Sequence, residues 1–164
     1  MPDEDPAKYQ IGDMIPKLNS VGQGKGLATY FSSTFKFAQH YCLKDCQMTK
    51  VSSDKLDVIN VYRSAQCTTF ESELEAIMNR KRPTIVCGDT NINVGADPEN
   101  ISSSLVSFMS SHGFTQLVAG STHEKGGTID QVYVNLTLKD NVTVMKTRVP
   151  FSDHDQIRVI LKDF

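Results

Sequence analysis

The sequence predicts an α/β (α+β) domain: a mixed sheet, or two packed sheets, flanked by helices. Short apolar runs rich in β-branched residues recur along most of the chain. Only two stretches place apolar residues at helical spacing. They do not alternate strictly with the strands, which separates the chain from parallel βαβα folds. Its 164 residues suffice for one domain with a sizeable core. No repeat, low-complexity tract or domain boundary interrupts residues 1–164.

Residues 1–24 hold three of the six prolines and no clear periodicity, so they read as loop. Gly22-Gln23-Gly24-Lys25-Gly26 lacks the Lys-Ser/Thr ending and preceding strand of a phosphate-binding loop, and reads as a Gly-rich turn into a strand. Strands are predicted over 27–31, 35–42, 47–51 and 56–62, with Arg63 closing the last. Thr68 and Glu71 have capping-box spacing. Phe70, Leu74, Ile77 and Met78 then give a helix an apolar face, ending near Arg80. Pro83 precedes a strand over 84–87. Asp97-Pro98 opens a second helix with Leu105, Val106, Phe108 and Met109 on its inner face, and Gly113 stops it. Strands are predicted over 114–118, 129–135, 142–147 and 156–161, with a polar loop at 120–128.

The formal net charge is -2 and the isoelectric point about 6.1, so nothing in the overall charge recruits nucleic acid; such contact must come from a local patch. No apolar run is long enough to cross a membrane. The N-terminus is acidic and polar, so no signal peptide is visible in it. An intracellular protein, cytoplasmic or nuclear, with Cys42, Cys46, Cys67 and Cys87 as reduced thiols is therefore expected. Cys42 and Cys46 could form half of a zinc site, but no second Cys/His pair is spaced to complete it.

The chemistry-bearing residues follow strands. Gly88 ends the apolar run 84–87, and Asp89 and Asn91, one residue apart, project to one side beyond it, where ligand sites of α/β sheets lie. Asp130 sits inside an apolar strand, and a buried carboxylate requires a partner. Ser152-Asp153-His154 is a polar cluster before the last strand. His40, His112 and His123 carry no motif and read as surface or cap residues.

Asn60-Val61-Tyr62-Arg63, Gly88-Asp89-Thr90-Asn91, Gly126-Gly127-Thr128-Ile129-Asp130-Gln131-Val132 and Ser152-Asp153-His154 together resemble, in order and spacing, the endonuclease/exonuclease/phosphatase (DNase I-like) family. The retroelement-type branch is the most similar, and the resemblance spans roughly residues 20–164. It implies a four-layer α/β sandwich and hydrolysis of phosphate esters with Mg²⁺, or Mn²⁺ as an alternative. Nucleic acid is the implied substrate, with no membrane and no obligate protein partner. The implied roles can be assigned residue by residue. His154 accepts a proton from, or orients, the attacking water, or holds phosphate as a cation. Asp130 bonds its other ring nitrogen. Asp89 positions or deprotonates the water, Asn91 donates to the phosphoryl group, and Tyr62 donates to a phosphate oxygen. Asp153 is the metal ligand, and Asn60 and Arg63 are substrate-binding residues, Asn60 supporting Tyr62. Asp89, Asn91, Asp130, Asp153 and His154 are expected to converge in one pocket at a sheet end.

The sequence departs from the family pattern in places. The family's opening strands, the second ending in a metal-binding Glu, have no counterpart. The chain therefore resembles the C-terminal two-thirds of the domain, lacking the first strands, and impaired hydrolysis is expected. Residue 90 is Thr where an aromatic or Leu is usual, and residue 131 is Gln where His is common. The alternatives are a family phosphatase acting on a small phosphorylated molecule and a non-catalytic remnant of the fold.

Overall fold

The computed structural model describes residues 11–20, 26–43, 45–95, 104–135 and 137–162. Its centre is a six-stranded sheet in the order β3-β4-β5-β6-β8-β7, formed by β3 (Lys36–Leu43), β4 (Cys46–Ser52), β5 (Asp57–Arg63), β6 (Thr84–Asp89), β7 (Phe114–Gln116) and β8 (Asp130–Asn135). Every pairing is antiparallel except β5 with β6, joined by a crossover through helix α1 (Phe70–Ile77). Two hairpins complete the fold: β1 (Ile15–Ser20) with β2 (Gly26–Phe31), and β9 (Val142–Arg148) with β10 (Asp155–Leu161).

Side-chain alternation gives the sheet two apolar faces. Met48, Ile59, Val61, Val86, Tyr133 and Phe114 pack against Phe70, Leu74 and Ile77 of α1 and Leu105 and Met109 of α2 (Ser104–Ser111). On the other face, Ile85, Val132 and Val134 meet Val142, Val144, Ile157 and Val159 of the β9–β10 hairpin. Successive layers are thus helix, sheet and hairpin, the mixed α/β architecture expected. No helix among the described residues is long and apolar enough to cross a membrane.

Three local expectations are corrected. Residues 15–20, assigned to loop, form β1. Ile15 is exposed and the strand carries no apolar stripe, so its hydrogen-bonding partner β2, not its own periodicity, makes it a strand. Pro16 is compatible because it stands near the start of a strand. Residues 1–10 and 21–24, also assigned to loop, lie outside the described residues. The Thr68–Glu71 capping box does not form: Thr69 is the N-cap, at φ -104° and ψ 4°, makes no side-chain cap bond, and the helix ends at Ile77, short of Arg80. Finally, β6 runs to Asp89 rather than stopping at Cys87, because it is paired on both sides. The second helix is described from Ser104, and its expected start at Asp97-Pro98 lies outside the described residues. Cys46, Cys67 and Cys87 are free thiols; the side chain of Cys42 is outside the described set. Burial pushes the Cys46 thiol up to about 12 and Cys87 to about 11.

At the sheet end remote from Asp89, the buried carboxylate of Asp57 takes Lys50 at 2.8 Å and Arg82 at 3.3 Å. Arg82 also donates to Ser53 O, which ties the β4–β5 turn to the entry of β6. Asp57→Ala leaves the largely buried Lys50 with the Ile77 carbonyl as an acceptor but without its counter-charge. The expected loss is about 3 kcal/mol, read from urea unfolding; a change under about 0.5 kcal/mol, the size of an ordinary surface substitution, contradicts this assignment.

Candidate active site

Three strands bring the polar residues together. Tyr62, Asp89 and Asp130 are register neighbours across β5, β6 and β8, all on the hairpin face. Like charges directly opposite one another on a sheet are destabilising, so Asp89 and Asp130 require a compensating hydrogen-bond donor. His154, just before β10, supplies it: its Nδ1 lies 2.9 and 3.1 Å from the two Asp130 oxygens. Asp89, Asp130 and His154 offer ligand or proton-transfer atoms within 4.8 Å of one another.

The sequence after Asp89 turns back on itself. Asn91 adopts φ 50°, a left-handed conformation that Asn tolerates better than most residues. Its N–H donates to Asp89 Oδ1 at 2.8 Å, and its side-chain amide donates to Arg63 O at 2.8 Å and to Asp89 Oδ2 at 3.2 Å. Both amide hydrogens are therefore engaged. Arg63 points to the helix side and donates to Thr90 O and Cys67 O, so its guanidinium braces the turn from behind. Asn60 lies deeper on β5 and donates to Thr29 Oγ1 at 2.9 Å and Ala28 O at 3.3 Å, tying β5 to β2. Tyr62 is half-buried and lines a cavity of about 220 Å³ with Ser64, Ala65, Gln66 and Asn91.

The two residue-type departures, Thr90 and Gln131, are latches. Thr90 N and Oγ1 both donate to Ile129 O. Gln131 donates to Ile92 O at 2.6 Å and accepts from the Tyr133 hydroxyl at 2.6 Å. They bind the turn after β6 to β8 and so hold Asp89 and Asp130 in register.

Asp153 is exposed, and its Oδ2 lies 3.4 Å from His123 Nε2. His123 and His154 are paired through an antiparallel backbone bridge, their rings edge to face at 4.8 Å. Sequence reasoning assigned His123 to the surface, yet its side chain is only 14% exposed and stands in the site. The overlooked signal was Gly126-Gly127, at φ 86° and 100°, a turn that folds residues 121–123 back onto 129–130. Thr122 Oγ1 accepts from the N–H groups of both Ile129 and Asp130.

The electrostatics follow from these contacts. Burial, then the Asp130 charge, pushes the Asp89 carboxyl above its ordinary range, against the pull of the Asn91 N–H and the two imidazoles. Burial would push His154 down, but the hydrogen bond and charge of Asp130, with the charges of Asp89 and Asp153, outweigh it and raise the imidazole above 6.5. Asp153 is held low by its own backbone N–H and by His154 and His123.

The folded chain therefore holds the His154 proton more tightly than the unfolded chain. The stabilisation is complete below the unfolded value of about 6.5 and is lost as pH rises through the elevated folded value. Asp89, also raised, acts in the same direction from about pH 4 upward. The urea midpoint is expected to fall as pH rises above 6.5, and His154→Gln should flatten that fall. Parallel curves for the two proteins would contradict the pairing.

The sequence family described as endonuclease–reverse transcriptase matches residues 56–158. In three dimensions the chain is similar to the endonuclease domain of TRAS1, a telomere-specific non-LTR retrotransposon. The TM-score is 0.65 at 16% identity, over 95% of this chain and 83% of that chain. At that identity the likeness establishes the DNase I-like fold. No curated protein sequence matches the chain.

Proposed function

We propose, from the premise that this chain belongs to the endonuclease–reverse transcriptase family, that it hydrolyses phosphodiester bonds of nucleic acid with a divalent cation, Mg²⁺ foremost. The observation that carries the reading is the Asp130–His154 pair at the strand ends, with Asp89 on the neighbouring strand. Asp130 fixes the tautomer of His154, so the ring nitrogen away from Asp130 accepts the proton of the attacking water. Asp89 orients that water. Asn91 reaches a phosphoryl oxygen by giving up its longer bond, 3.2 Å, to Asp89. Tyr62 donates to a phosphate oxygen from the cavity that it shares with Asn91. Arg63 and Asn60 act as braces of this arrangement, through Thr90 and β2 respectively.

Asp153 suits a hard divalent cation. Its carboxyl is held below its ordinary range by its own backbone N–H and the neighbouring imidazoles, and it is 57% exposed. Mg²⁺ characteristically uses one or two carboxylates, several waters and the substrate phosphate. A cation held by Asp153 would neutralise charge on the phosphoryl oxygens.

The experiment is a supercoiled-plasmid nicking assay with Mg²⁺ beside phosphate release from small phosphomonoesters. Nicking that EDTA abolishes is expected. Release from small esters alone would replace the nuclease reading with a phosphatase. Activity on neither would leave the fold without the chemistry.

A further inference from the structure

We propose that His123 is a positioning residue whose Nε2–H orients the Asp153 carboxylate for its cation. This inference rests on the cation-holding assignment of Asp153.

The tautomer is set by the main chain. Lys125 N–H donates to His123 Nδ1 at 3.1 Å, so Nδ1 is the acceptor and the ring hydrogen belongs on Nε2. Nε2 is the atom that faces Asp153 Oδ2, at 3.4 Å. A neutral imidazole thus presents a donor to the carboxylate. The same geometry disfavours His123 as a metal ligand itself: binding through Nε2 would put the hydrogen on Nδ1, against the Lys125 N–H.

The mounting is rigid. Glu124 N donates to Asp153 O at 2.9 Å and Asp155 N to Thr122 O at 2.8 Å, locking segment 122–124 beside 153–155. His123 O accepts from Ser121 Oγ at 2.8 Å and Gly126 N at 3.0 Å. The ring is largely buried and packed edge to face with His154. Asp153, in contrast, is mostly exposed, and His123 is the side chain that faces its carboxylate from the buried side. Partners that hydrogen-bond a ligating carboxylate orient it, and their loss typically weakens metal binding about 10- to 100-fold.

Two readouts independent of turnover test the assignment. The first is the His123 ring in the metal-free chain, read by long-range ¹⁵N–¹H correlation. Hydrogen on Nε2 is expected; the Nδ1–H tautomer overturns the inference and leaves the function proposed for the site untouched. The second is Mn²⁺ binding by electron paramagnetic resonance. His123→Ala should bind Mn²⁺ about 10- to 100-fold more weakly. His123→Gln, which keeps a side-chain N–H, should recover most of the affinity, and Asp153→Asn with His123→Ala should be no weaker than Asp153→Asn alone. Unchanged binding in His123→Ala overturns the inference. Equal losses in the Ala and Gln variants would assign the effect to packing against His154 and also overturn it. A wild-type chain that binds no Mn²⁺ overturns the cation-holding assignment of Asp153 together with it.

Discussion

Replacing His154 with Ala is expected to slow Mg²⁺-dependent nicking about 10²- to 10⁴-fold, the range that a positioned general base contributes. The loss should fall on kcat and leave KM little changed, because the role proposed for His154 is proton transfer rather than holding the nucleic acid. His154 is half-buried just before β10, outside both apolar clusters, so the variant should keep its fold. Cooperative urea unfolding checks this. A rate within about 10-fold of wild type would remove His154 from the chemistry, since a general base contributes at least about 10²-fold.

Gly88→Ala is expected to be the most damaging single substitution for the fold. Gly88 stands at φ 140°, where L side chains are rarely found, between β5 and β8. A Cβ there would lie 2.0 Å from the carbonyl oxygen of Val61 and 2.9 Å from its carbonyl carbon. Both are backbone atoms of a central strand, so no rotamer change relieves the overlap. Backbone strain alone costs about 1–3 kcal/mol, and separating β5 from β6 adds the loss of ladder bonds beside Tyr62 and Asp89. A total of about 4 kcal/mol or more places it among the exceptional destabilisations. Urea unfolding, or failure to accumulate folded protein, reads the effect; a loss under about 1 kcal/mol, an average value for point mutants, would contradict the close approach.

The sheet was legible where the chain carries its own pattern. Val58 to Val61 and Ile85 to Val86 are buried on both sides of the sheet or between its layers, so their apolar runs mark β5 and β6. Strand β1 has no such pattern, and only its pairing with β2 reveals it. At the site, Asp130 was recognisable as a carboxylate in an apolar strand that needed a partner, and His154 meets that need. His123 was missed, because the double-glycine turn that marks it shows only that the chain reverses there, and the backbone bridge to a residue 31 positions away is what brings it to the site. Asn91 illustrates a different limit: residue type identified a donor, but only the geometry shows that Arg63 O and Asp89 already accept both of its amide hydrogens.

In the proposed roles Asp130 serves the chemistry by holding His154, so the two should behave as one unit in a double-mutant cycle. The decisive measurement is the Mg²⁺-dependent nicking rate of Asp130→Asn, His154→Ala and the combined variant against wild type. The expected result is a combined variant no slower than His154→Ala alone, because the carboxylate has nothing left to orient. Losses that multiply, with the double variant slower by the product of the two single effects, would show independent roles and contradict the pair as the chemical centre of the site.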